Sequence, residues 1–214
     1  MQLNLKVHSW GGARKKAGRK RIHSRGVAHH TREKVSGRVP LHINFRYKSH
    51  VRNKETLKIL KRSITNARRH GLRILHYSFQ TNHVHLIVEA TSNEILSRGM
   101  RSLTNTMAKR MAKGRIQSGR YHLHVLRSFR EARNAIHYVL FNEQKHDKGT
   151  CSAVNEYSSL LSIKEGLELI RKFAVKRKIS IRIEKGEKWI GDESRSFVFR
   201  KAWETLVNPP ETCF

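Results

Sequence analysis

The sequence predicts an α+β domain built on one four-stranded antiparallel sheet. Three features predict it: short apolar/polar alternations, basic stretches with apolar residues at steps of three and four, and the order in which the two patterns follow one another. From Pro40 onward Leu41, Ile43 and Phe45 alternate with His42, Asn44 and Arg46, the period of a half-buried strand. Lys54 to His70 carries Leu57, Leu60, Ile64 and Ala67 on one helical face, and Gly71 supplies the stop. Leu72–Phe79 and His83–Glu89 alternate on either side of Gln80-Thr81-Asn82, which predicts a hairpin. Asn93 to Lys113 sets Leu96, Met100, Leu103, Met107 and Met111 at helical spacing. Arg120 to Arg127 alternates again, and Arg130 to Lys145 reads as a third helix with Ala132, Ala135, Ile136, Val139 and Leu140 on one side.

The first six elements give strand, helix, strand, strand, helix, strand, which is the ferredoxin-like βαββαβ motif with both crossover helices on one face of the sheet. The third helix is left for the other face. Three segments follow: a basic, Gly-rich flexible arm over 1–39, the α+β domain over 40–148, and a small C-terminal appendage over 149–214. In the appendage, Ser162-Ile163-Lys164-Glu165 reads as a capping box opening a helix. Ile179, Ile181 and Ile183 alternate as a short strand, and Ser194 to Val207 reads as a last helix.

The 214 residues hold 45 Lys and Arg against 16 Asp and Glu, a formal net charge of +29. A surplus of this size repels itself in the folded state and points to a polyanionic partner, nucleic acid ahead of a membrane surface. No apolar run approaches the roughly 20 residues needed to span a bilayer, and no signal sequence is recognisable. Cys151 and Cys213 have no Cys neighbour, so a disulfide framework and a Cys-based zinc site are not indicated; a reducing, cytoplasmic setting is expected. Arg14, Lys15, Lys16, Arg19, Lys20 and Arg21 in the arm, with Arg101, Lys109, Arg110, Lys113 and Arg115 along and after the second helix, are candidate DNA phosphate contacts. The alternative for each is a solvated surface charge.

Strand alternation sends His83 and His85 to one face and Val84, Leu86 and Val88 to the other. Two imidazoles so placed converge on one ion when a third ligand arrives from elsewhere; otherwise they are ordinary polar-face histidines. His122 and His124 form a second pair with the same spacing. On the third helix Tyr138 and Asn142 are four apart and share a face at the border of the apolar stripe. The pair is either a packing tyrosine with a capping amide or a nucleophile with a metal ligand beside it.

The run Asn82-His83-Val84-His85-Leu86-Ile87-Val88-Glu89, followed by Arg120-Tyr121-His122 and by Tyr138-Val139-Leu140-Phe141-Asn142, resembles the single-tyrosine HUH transposases, especially the REP-associated group. The resemblance covers roughly residues 40–148. It implies that His83 and His85 bind a divalent ion, Mg²⁺ or Mn²⁺, with Asn142 as third ligand. It further implies that Tyr138 is the catalytic nucleophile and that the third helix is the catalytic helix. The implied substrate is single-stranded DNA beside a hairpin of REP type, in the bacterial nucleoid, cut by a monomer or a homodimer without ATP. Glu143 stands where many members have Pro, so the helix is expected to run on toward His146. A non-catalytic nucleic-acid-binding descendant and another HUH nuclease, a replication initiator or relaxase, are the competing readings. A metallohydrolase built on His122 and His124 is the remaining one.

Overall fold

A computed structural model of the chain describes residues 33–47, 52–111, 120–142, 151–154, 157–162, 166–177, 180–183 and 194–207. The elements come in the order expected: β1 (Leu41–Arg46), α1 (Lys54–Arg68), β2 (Arg73–Phe79), β3 (His83–Glu89), α2 (Asn93–Arg110), β4 (His122–Val125) and α3 (Phe129–Leu140). The strands lie side by side as β2-β3-β1-β4, every neighbouring pair antiparallel, so β1 and β3 are the central strands of a ferredoxin-like sheet.

The register of β1 decides which residues share a face, because directly opposed residues project to the same side. His42 stands opposite Ile87 on β3 and His124 on β4, and Asn44 stands opposite His85 and His122. The other face presents Leu41, Ile43, Phe45, Val84, Leu86 and Val88. These are buried with Leu57, Leu60 and Ile64 of α1 and with Leu96, Met100, Leu103 and Met107 of α2. Asn53 opens α1 in a reciprocal capping box with Thr56, and Gly71 follows the helix at φ 81, a left-handed conformation that favours glycine. At Gly99 a Cβ atom would lie 2.4 Å from the Leu72 Cβ, so α2 seats against the start of β2 only with glycine there.

A second core forms on the histidine face, where Leu75 and Ile87 meet Ala132, Ile136, Val139 and Leu140 of α3. The C-terminal elements are β5 (Cys151–Val154), a 3₁₀ turn (Ser159–Ser162), α4 (Gly166–Arg177), β6 (Ser180–Ile183) and α5 (Phe197–Val207), of which the 3₁₀ turn, α4 and α5 add Leu160, Leu169, Ile170 and Phe199 to this core. Phe199, Ala202 and Val207 bring α5 into this core, alongside α3. One carboxylate anchors α5 to the sheet. Glu89, the last residue of β3 and 3% exposed, accepts hydrogen bonds from the Ser194 hydroxyl and from the backbone N–H groups of Arg195 (2.9 Å) and Ser196 (3.1 Å). Arg73 lies 3.4 Å away on its other side.

Several boundaries differ from the sequence reading. The third helix runs from Phe129 to Leu140, Phe141 interrupts it at φ −111, ψ 20, Asn142 is again helical, and 143–145 lie outside the described residues. At this interruption the Ser158 hydroxyl donates to the Leu140 carbonyl at 3.1 Å. β5 pairs in parallel with β6 and was not anticipated; its four residues carry no alternation long enough to announce a strand. Residues 33–39, placed by the sequence at the end of the arm, include a buried Val35 whose N–H donates to Asn93 Oδ1 at 2.7 Å. Of the Ser162–Glu165 capping box, Ser162 ends the 3₁₀ turn and 163–165 lie outside the described residues. No described helix is long and apolar enough to cross a membrane.

Glu89→Ala leaves the two N–H groups and Arg73 without their buried acceptor and is expected to cost about 3 kcal/mol of unfolding free energy in urea. A loss below about 0.5 kcal/mol, the range of an ordinary surface change, would show that α5 is held by its apolar face alone.

Candidate active site

β3, β1 and the last turn of α3 bring together the residues that the sequence singled out and one that it did not. The rings of His83 and His85 lie 4.7 Å apart, centroid to centroid, and nearly perpendicular. Tyr138 stands edge-on to His85 at 5.1 Å. It also lies 6.1 Å from His42, which completes an aromatic cluster on one face of the sheet. Tyr138 is half-buried, so its side chain is neither sealed in the core nor free in solvent.

Hydrogen bonds fix how the two histidines present themselves. Asn82 Oδ1 lies 2.6 Å from His83 Nδ1. An amide oxygen only accepts, so Nδ1 carries the proton and the lone pair is on Nε2. His42 Nε2 lies 3.1 Å from His85 Nδ1, with the two rings stacked at 5.2 Å. Burial, and secondly the charge of His124, push the His42 pKa down to about 4, so this imidazole is neutral near pH 7 and can accept from His85 Nδ1–H. Sequence reasoning saw His42 as one of the polar positions of β1 and gave it no role in the site. The alternation of Leu41, Ile43 and Phe45 already put it on the face opposite the core, but only the β1–β3 register shows that this face is the one His85 shares.

Asn142 follows the helix cap by one residue and is itself helical. It is 0% exposed, and among the described residues neither of its side-chain polar atoms has a hydrogen-bond partner. An unsatisfied buried amide costs about 1–3 kcal/mol, a penalty that an incoming ligand would relieve. Asn44 Oδ1, opposite His85 in the register, is likewise buried without a partner. Among the described residues no group of three His, Cys, Asp or Glu side chains forms a metal-holding cluster. Two imidazoles and an amide oxygen are donors that a divalent ion accepts, so the side chains present fit such a set.

The second pair, His122 and His124, is exposed on the edge strand β4 and faces the same side. The structure does not gather all the basic candidates near Tyr138. Arg101, Lys109 and Arg110 are exposed on α2, across the sheet. Arg14, Lys15, Lys16, Arg19, Lys20, Arg21, Lys113 and Arg115 lie outside the described residues.

The four-stranded antiparallel sheet with flanking helices is a fold shared with a REP-associated tyrosine transposase. The solved structure of such a transposase bound to a REP hairpin superposes with a TM-score of 0.50 at 16% identity, covering 56% of this chain and 74% of that one. Residues 38–129 match the family model of IS200-like transposases. A transposase-like protein from Deinococcus radiodurans R1 aligns at 17% identity over 53% of this chain and 95% of its own, with a TM-score of 0.36. A bacterial tRNA(His) guanylyltransferase-like protein in complex with GTP aligns at 10% identity over 56% of this chain and 67% of its own, with a TM-score of 0.37. No curated protein sequence matches the chain.

On the same face as Ile87, His76 is fully enclosed between Phe199 and Trp203 of α5, and burial lowers its pKa to about 4. It is neutral when folded, whereas in the unfolded chain it takes up a proton below pH 6.5. Stability is therefore complete above about pH 6.5 and falls as the pH drops toward 4. Urea midpoints at pH 7 and pH 5 are expected to show this loss, and His76→Phe to reduce it. An unchanged pH slope in that variant would remove His76 as a cause.

Proposed function

We propose that the chain is a metal-dependent single-strand DNA endonuclease and strand transferase, a transposase that cuts beside DNA hairpins through a 5′-phosphotyrosine intermediate. The observation that carries this reading is Tyr138 set against His85 on the sheet face that also bears His83. The hairpin-bound neighbour supports the substrate class.

His83, His85 and Asn142 would hold a Mg²⁺ or Mn²⁺ ion. When bound, it supplies charge that stabilises the pentacovalent phosphate in the transition state. The chain's own residues do the rest. Asn82 and His42 fix the tautomers and ring orientations of the two histidines, so that Nε2 of each is the nitrogen presented. Tyr138 supplies the nucleophile. Its Oη forms a bond to phosphorus while the bond from phosphorus to the 3′ oxygen breaks, and the phenol proton ends on the departing 3′-hydroxyl. One phosphodiester is exchanged for another, so rejoining by a second 3′-hydroxyl needs no ATP. The half-buried position of Tyr138 restricts its side chain while leaving the hydroxyl within reach of an unpaired strand.

A hairpin oligonucleotide labelled at its 3′ end and incubated with manganese is expected to give a covalent protein adduct. Tyr138→Phe should abolish the adduct and keep DNA binding. Equal adduct from both proteins would end the proposal. His42→Phe removes the acceptor for His85 Nδ1–H and should weaken manganese binding about tenfold or more in calorimetry, with His42→Gln partly restoring it. Unchanged affinity in His42→Phe would show that His85 is oriented without its neighbour.

A further inference from the structure

Two large apolar side chains stand out of the surface among the described residues: Phe129, 44% exposed, and Phe197, 64% exposed. They are 68 residues apart in sequence and meet, with ring centroids 5.8 Å apart and planes at 72°. Phe129 is the first residue of α3 and Phe197 the first of α5. Their helical neighbours are basic. Arg133 is one turn from Phe129, and Arg200 and Lys201 are one turn from Phe197. The nearby acids are engaged: Glu131 accepts from the N–H groups of Arg127 and Ser128, Glu33 pairs with Arg127, and Glu204 pairs with Lys201. The result is two exposed aromatic rings set among arginines.

We propose that Phe129 and Phe197 form a stacking platform for an unpaired nucleobase in the single-stranded DNA flanking the hairpin, with Arg133 and Arg200 holding its phosphates. This rests on the reading of the chain as a single-strand DNA enzyme and adds to it a binding subsite and a role for the C-terminal segment. An aromatic ring beside fixed cations suits a base with its phosphate, since every base offers a π face and the strand supplies the negative charge. The chain's net charge of +29 favours that occupant over a protein surface of mixed charge. The platform is separate from the reaction centre. Phe129 and Tyr138 are nine residues apart on α3, about 13 Å along its axis and on opposite sides of it.

The test measures fluorescence anisotropy with the full chain in EDTA, so that binding is read without cleavage. The probes are a hairpin with a single-stranded flank and the same hairpin with a blunt end. Wild type should prefer the flanked hairpin. The double variant Phe129→Ala, Phe197→Ala should lose about tenfold on the flanked probe and nothing on the blunt one. Phe197→Trp in the otherwise native chain should keep the preference, and Phe197→Leu, which retains apolar area without a ring, should reduce it. Thermal melts confirm that the variants fold.

The proposal is overturned if wild type does not distinguish the probes, if both probes weaken equally, or if Leu serves as well as Trp. It is also overturned if the double variant shifts sedimentation from dimer to monomer, which would make the patch a contact between copies. The adduct assay separates the two readings. A normal adduct without flank preference removes the platform alone, whereas flank preference without an adduct removes the tyrosine chemistry and leaves the platform.

Discussion

The whole site depends on the pairing register of β1. Held between β3 and β4, this strand puts Leu41, Ile43 and Phe45 into the core beneath α1 and α2 and turns His42 and Asn44 toward His85. A slip of one residue would reverse both sets at once, burying imidazoles among leucines and exposing the apolar side. The burial that stabilises the sheet therefore also specifies the site. The side chains opposite the core are fixed relative to one another by backbone hydrogen bonds, which position more rigidly than a loop could.

The remaining task is to bring Tyr138 over that face, and the helix that does so is held from three directions. Its start is fixed by the reciprocal cap of Ser128 and Glu131. Its apolar side packs on Ile87 and Leu75, and its outer flank packs on α5. Its Leu140 carbonyl accepts from Ser158, which lies beside the edge strand β2 and bridges to Ser78. The C-terminal segment thus acts on the candidate site through packing. α5 covers sheet surface that a bare ferredoxin-like sheet would leave wet, and Glu89 joins its first turn to the strand that carries His83 and His85.

What the sequence made legible was local. The alternation of His83 and His85 with Val84 and Leu86 needs only the pleat of one strand, and the helical stripe around Tyr138 needs only one helix. What stayed hidden depends on contacts between distant residues. His42 becomes a neighbour of His85 through a pairing 43 residues apart, and the Leu140 carbonyl of α3 meets a hydroxyl 18 residues away. The four-residue β5 is too short for its pattern to stand out. Net charge was plain from composition, but its distribution was not. Lys58, Lys61, Arg62 and Arg110 line a cavity on the α1/α2 side, across the sheet from Tyr138.

That distribution separates two jobs that composition alone would merge. Around Tyr138 the structure sets histidines, one of them held neutral by burial, and amides without partners, groups that discriminate at hydrogen-bond distance and contribute little field beyond it. The arginines and lysines on the far layer act over a Debye length of about 8 Å or more in ordinary salt, too far to orient a phosphate at the tyrosine yet near enough to draw a polyanion toward the molecule. Affinity that depends steeply on salt and chemistry that depends on the histidine face are thus expected from different parts of one small domain. Substitutions on α1 and α2 should change how often DNA is captured without changing what happens once it reaches Tyr138.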